Sequence, residues 1–219
     1  MSDHLTSGYI ANARRQVPGL EALHRMTALL LQETVPASAR LLVLGAGGGM
    51  ETKALAETSP GWRFDGVDPS TDMLALARQT LHEFGPRMSL HEGSISAAPD
   101  GPFDAAVSLL TFHFIAPPER LETLRQMRAR MRRGAPLILA HISFAQSEPE
   151  RAKWIARHVA YGLGPSADPA KAEESRRAIA TRLHVLSPSD EEAMLAEAGF
   201  SGIELFYCAL SFRGWVAYA

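Results

Sequence analysis

Leu41–Thr52 reads LLVLGAGGGMET: an apolar run enters four glycines within five positions and leaves as polar chain. Leu41 to Leu44 has the length and composition of a short buried strand, and Met50 to Glu57 reads as a helix opened by the glycines. A turn from strand into helix leaves amide N–H groups without partners, and glycine allows positive φ and close approach of a ligand to the backbone. Gly45, Gly47 and Gly49 follow the spacing G-x-G-x-G. The nicotinamide fingerprint G-x-G-x-x-G would require its third glycine where Met50 stands, so a nicotinamide oxidoreductase is a distant reading.

Outward from this stretch, strands and helices alternate. Leu20–Thr34 carries apolar residues at helical spacing. Strands are expected over Trp62–Val67, Arg87–His91, Phe103–Leu110 and Leu137–Ile142, with helices over Thr71–Phe84 and Pro118–Arg132 between them. Helical sequence fills Pro149 to Leu186, broken around Gly162–Pro165, and a helix over Ser189–Ala198 closes at Gly199. Ile203–Leu210 and Phe212–Tyr218 read as a final hairpin. The pattern predicts an α/β fold: a mostly parallel, doubly wound sheet with an antiparallel pair at its edge. In such a sheet ligands sit beyond the carboxyl ends of the strands, where the glycines lie.

The 219 residues suit one domain, with 1–35 as an N-terminal arm and helix and 147–186 as a helical cap over the cleft. At 46% hydrophobic and 21% charged, the composition is that of a soluble globular chain, and no run approaches a membrane span. The start, MSDHLTSGYI, lacks the pattern of a signal peptide, and the single cysteine, Cys208, allows no internal disulfide; both fit a cytoplasmic location and argue against a thiolate metal cluster. A net charge of −2 argues against a chain built mainly to hold nucleic acid. Arg125, Arg128, Arg130, Arg132 and Arg133 crowd one helix, where a solvated face is favoured over an RNA-binding one.

Asp68, at the end of WRFDGVD and 23 residues after Gly45, is placed to accept both hydroxyls of an adenosyl ribose. Here the sequence resembles the class I S-adenosylmethionine (SAM) dependent methyltransferases along nearly its whole length. VLGAGGGMET, FDGVDPSTDMLALAR, EGSI, FDAAVSLLTFHFI, MRRGAPLILA and the terminal LSPSDEEAMLAEAGF with its hairpin match that family's segments in order. The resemblance implies a Rossmann-like seven-stranded sheet, SAM as cofactor with S-adenosylhomocysteine (SAH) as product, and transfer to a small-molecule acceptor. It implies that Gly45, Ala46, Gly47 and Gly49 approach the methionyl end, that Asp68 and Pro69 lie at the ribose, and that Met73, Ser94 and Ile95 face adenine. Backbone at Leu109 and Leu110 would receive the ammonium. Two departures stand out: Val43 where many members carry an acid, and Ser94 where an aspartate is common.

YIANARRQVPGL is similar to the lead-in of a subgroup that includes the carboxy-SAM synthases, in which Tyr9 and Arg15 would meet the SAM carboxylate. That subgroup supplies an alternative, an enzyme that rebuilds the cofactor from prephenate, with Arg176 and Arg177 holding the added carboxylate. A binding protein that holds SAM without turnover is a further alternative. His113 and His141, just past the fourth strand and ending the fifth, are the candidate general bases, each weighed against a packing role. Trp154, His158 and Tyr161 share a helix face that either walls the acceptor pocket or packs on the domain. The terminal hairpin, with Phe206, Tyr207, Phe212 and Trp215, either buries a homodimer interface or only covers the sheet.

Overall fold

A computed structural model describes Gly8 and residues 11–219. The chain is helical over 11–16, then turns at Pro18–Gly19 into α1 (Leu20–Thr34). Leu20, Leu23, Thr27, Ala28 and Leu31 recur at three- and four-residue steps and form the buried face of α1. There follow β1 (Ala39–Leu44), α2 (Met50–Thr58), β2 (Trp62–Asp68), α3 (Thr71–Thr80), β3 (Met88–Glu92), β4 (Ala105–Leu109), α4 (Pro117–Ala129) and β5 (Pro136–Ile142). The chain ends with α5 (Glu150–Leu163), α6 (Pro169–Arg182), α7 (Pro188–Glu197) and the hairpin β6 (Ser201–Ala209)–β7 (Phe212–Tyr218).

The strands form one seven-stranded sheet in the order β3-β2-β1-β4-β5-β7-β6. The first five are parallel and β7 runs antiparallel to both β5 and β6. Alternation sorts each central strand onto two cores: Leu41, Val43, Val107 and Ile138 face one side, and Leu42, Leu44, Ala106 and Leu139 the other. Because both faces are covered, β4 and β5 read as unbroken buried runs. The strand order reverses between β1 and β4, which opens a crevice at their carboxyl ends. No helix among the described residues is long and apolar enough to cross a membrane.

Two expectations need correction. The helix expected to run from Thr71 to Phe84 ends at Thr80 and is followed by a 3₁₀ turn over His82–Arg87, in which Pro86 has no N–H to support a further α turn. The segment 147–186 does form a helix pair, but it does not roof the crevice. In α5, Trp154 stacks on Phe144 with ring centroids 6.4 Å apart, His158 pairs with Ser211 at 2.7 Å, and Ile155 and Val159 are buried. Arg151 donates to the Ala180 carbonyl at 2.9 Å, which ties α6 to α5. The pair therefore packs beside the β5–β7 end of the sheet, and the packing reading of Trp154 and His158 is the one observed.

Candidate functional site

The crevice is built around the end of β1. Val67 O, on β2, accepts the N–H groups of both Gly45 and Ala46, at 2.8 and 3.0 Å, and this bends the chain over the neighbouring strand. Asp68 completes the turn: its Oδ2 accepts from Gly47 N–H and its Oδ1 from Ser70 N–H, each at 2.9 Å. Gly45 has φ +77°, and a Cβ there would lie 1.9 Å from Thr111 Oγ1. Two loops at the switch point thus approach each other as closely as hydrogen allows. Ser70 accepts from Met73 N–H and starts α3, so one short run sets Asp68, Pro69 and Met73 along the same wall.

A cavity of about 990 Å³ opens on this frame. Gly45, Gly47, Asp68, Pro69 and Met73 line it, as do Ser94, Ile95, Leu109 and Leu110. The structure thus gathers nine of the expected cofactor residues around one space. Ala46 lies beneath the loop, fully buried, and Gly49 sits at the N-cap of α2 with φ +81°. Tyr9 falls outside the described residues. Arg15 is exposed, bonds to Asn12 at 2.8 Å, and does not line the cavity.

The two histidines also require correction. The residues after β4 form a 3₁₀ turn, Phe112–Phe114, which turns Phe112 and His113 inward and leaves Phe114 64% exposed on the cavity wall. His113 is buried, its Nδ1 lies 3.4 Å from Ile142 N–H, and burial pushes it down to about 3. His141 is fully buried beside the Trp215 ring, its Nδ1 is 3.1 Å from Ile142 O, and burial holds it well below the usual histidine range. Neither lines the cavity. Both are neutral core groups.

The remaining residues lining the cavity come from elements whose local pattern gave little signal. Leu20 and His24 reach it from α1, Thr111 and Phe114 from the turn after β4, and Glu119 and Glu122 from the start of α4. Burial pushes His24 down to about 4, only partly opposed by Glu21. Glu51, in the first turn of α2, is buried against the cavity; burial pushes it up to about 8, and the nearby Asp68 charge adds to the rise. The lining thus holds four carboxyl groups and no arginine or lysine among the described residues. Arg176 is paired with Glu173 at 2.9 Å on α6, Arg177 is exposed, and neither reaches the cavity.

Comparison with known proteins agrees with this geometry. Residues 41–134 match the model of the family described as "Methyltransferase domain". The chain is 29% identical over 212 residues to the carboxy-S-adenosyl-L-methionine synthase of Chromohalobacter salexigens, covering 94% of this chain and 77% of that protein. Among solved structures, the SAM-dependent methyltransferase SibL in its apo form superposes with a TM-score of 0.63 at 18% identity, over 91% of this chain and 56% of that one. Human N-acetylserotonin methyltransferase, solved with SAM, superposes with a TM-score of 0.60 at 15% identity, over 98% of this chain and 58% of that one. The chain therefore spans just over half the length of these two structures.

Proposed function

We propose that the chain is a class I SAM-dependent methyltransferase, that it holds SAM in this cleft and that it methylates a small-molecule acceptor that carries no net negative charge. The observation that carries this reading is the acidic lining: Asp68, Glu119 and Glu122 face the cavity together with Glu51, a carboxyl that a nearby cation would ionise, and no arginine or lysine stands opposite them among the described residues. Such a site suits a cofactor with a sulfonium and an ammonium, and a neutral or cationic acceptor.

The residues present fit the cofactor. The Gly45–Gly47 loop gives a backbone surface without side chains for the methionyl end. Asp68 has one lone pair on each oxygen committed to the loop, which leaves acceptor capacity for two ribose hydroxyls. Met73 and Ile95 supply apolar walls for adenine, and Ser94 a polar edge. Bound SAM supplies an activated methyl group for in-line displacement, so the protein needs no nucleophile of its own. What the chain contributes is alignment and exclusion of water. Leu20 and Phe114 give the acceptor side apolar surface, while His24 and Thr111 offer polar contacts for orienting it. Neutral His24 can accept a hydrogen bond; with a basicity this low it positions an acceptor rather than deprotonating it. The acceptor is therefore one that is nucleophilic as bound.

The curated relative's name favours a second reading, formation of carboxy-SAM from SAM and prephenate. Against it stands the same lining: an added carboxylate, or a dianionic second substrate, meets carboxylates and no described guanidinium or ammonium group. The test is calorimetric titration of the purified protein with SAM, SAH and NAD, followed by mass spectrometry after incubation with SAM and either prephenate or a panel of neutral, amine and carboxylate acceptors. SAM binding, with SAH formed on neutral or amine acceptors, is the expected result. Carboxy-SAM from the prephenate arm overturns methyl transfer in favour of the second reading. Tight SAM binding without turnover across the panel makes the chain a SAM-binding protein, and NAD binding without response to SAM removes the cofactor assignment.

A further inference from the structure

Glu51 is an anomaly on structural grounds alone. It is 9% exposed, it lines the cleft, and its Oε1 has no hydrogen-bond partner. Buried carboxyl groups are ordinarily paired, because an unpartnered one forfeits its hydration without return. The neighbouring groups do not supply a pair. Lys53, two residues on, is turned to Glu57 at 2.8 Å, and Asp68 has the same sign of charge as Glu51. His24, the one basic side chain on the described lining, is held neutral by burial. Local support for a negative charge comes from the N-terminus of α2, whose first turn carries Glu51, and from the Glu51 backbone N–H, which bonds to the carboxyl; burial outweighs both.

Asp68 is committed differently. Both of its oxygens take backbone N–H groups that shape the loop, and under the proposed cofactor assignment their remaining lone pairs serve the ribose. Val43, in the strand below, is fully buried and offers the cleft no polar atom. Beside the backbone of Leu109 and Leu110, the charged side chain left for a cationic group at the loop end of the cleft is therefore Glu51. Resting on the assignment of SAM as cofactor, we propose that Glu51 is the anchor for the ammonium of the methionyl end.

Binding then carries a proton with it. Without cofactor the Glu51 carboxyl is protonated at pH 7; an ammonium beside it favours the carboxylate, so the proton leaves as the cofactor enters. The strength of cofactor binding rises with pH towards about 8, where half of the free protein's Glu51 is already ionised.

Calorimetry of the full chain at pH 7, in two buffers of different ionisation enthalpy, measures proton release directly. The ligands are SAM, SAH and 5′-methylthioadenosine, which keeps the adenosine and thioether but lacks the ammonium and carboxylate. Wild-type protein is expected to release a proton with SAM and SAH and not with methylthioadenosine. Glu51→Gln is expected to abolish that release and weaken SAM and SAH by about 10- to 100-fold, the worth of one charge-assisted hydrogen bond, while methylthioadenosine binds as before. Unchanged SAM affinity in Glu51→Gln overturns the proposal, and so does an equal loss for methylthioadenosine, which would place Glu51 at the adenosyl end. Should the variant fold poorly, the wild-type proton count stands by itself: SAM binding with no proton released overturns the anchor. Failure of the wild type to bind any of the three ligands removes the cofactor assignment instead, a distinguishable result.

Discussion

At the scale of single residues, the site depends on Gly45 having no side chain. Its φ of +77° is a conformation that L-residues adopt at a cost of about 1–2 kcal/mol, and an added Cβ would meet the Thr111 hydroxyl at 1.9 Å. Gly45→Ala is expected to destabilise the protein by about 2–4 kcal/mol, the backbone strain plus the overpacking term, and to cost SAM affinity as the two loops part. Thr111→Ala in the same chain removes the hydroxyl and methyl but leaves its own Cβ 2.7 Å from the added one, so the double variant should recover only part of the loss; denaturant midpoints for the four chains measure it. A double variant no more stable than Gly45→Ala would show that the hydroxyl and methyl of Thr111 are not what excludes a side chain at residue 45. The sequence announced this position through its spacing. It gave His113 the wrong role for a local reason: a three-residue 3₁₀ turn decides which side chain faces the cleft, and in Phe112–His113–Phe114 it presents Phe114. Glu51 carried a signal that went unread, an acid in the first turn of a helix that opens on a glycine loop.

At the scale of elements, one arginine ties the cleft wall to the rest of the fold. Arg120 on α4 is fully buried; it pairs with Glu191 on α7, and its Nη2 donates to the carbonyls of Phe112 at 2.7 Å, Ile115 at 3.2 Å and His184 at 2.5 Å. It thus fixes the turn after β4 without touching the cavity. Arg120→Ala leaves Glu191 buried beside fully buried His141 with no cation, and is expected to cost about 3–5 kcal/mol by denaturant unfolding. Arg120→Met with Glu191→Leu replaces the whole buried pair with apolar side chains and should recover most of that loss. SAM affinity should nevertheless stay reduced in the double variant, because the Phe112–Ile115 turn has lost its clamp. Wild-type affinity there would mean that the turn holds itself. Local sequence could not distinguish Arg120 from its neighbours. Arg125 pairs with Glu197 and Arg132 with Asp104, both exposed arginines on the surface, and only the packing of α7 makes Arg120 different. Strand and helix positions were legible because periodicity and Gly/Pro punctuation are local, as at Ser70, Pro117 and Gly134. The docking of α5 and α6 was not, since an amphipathic face says that it is buried and not against what.

At the scale of the whole molecule, buried titratable groups of opposite type predict the shape of the stability profile. His24 and His113 are pushed down to about 4 and about 3 by burial, and His141 and His158 are lowered by the same cause. Each is neutral in the folded chain and takes up a proton more readily in the unfolded one. Their contribution is complete above pH 6.5 and is lost progressively as pH falls below it. The two buried carboxyls act in the reverse sense. Burial pushes Glu51 up to about 8 and, against the pull of Arg120, Glu191 up to about 7. Both stay protonated in the fold after the unfolded chain has ionised, so their contribution is complete below pH 4.5 and lost as pH rises towards 7 and 8. Between pH 4.5 and 6.5 the four histidines outweigh the two carboxyls, and stability rises with pH; above 6.5 only the carboxyls still act, and it falls. The cofactor-free protein should therefore show its highest thermal midpoint near pH 6.5, lower at both pH 5 and pH 8. Glu51→Gln should flatten the alkaline limb, leave the acid limb to the histidines, and raise the midpoint at pH 8. Saturating SAM should flatten the same limb by ionising the same carboxyl. A midpoint that climbs steadily from pH 5 to pH 8 would show that Glu51 is already charged in the empty cleft, and with it that the cleft holds a negative charge before any cation arrives.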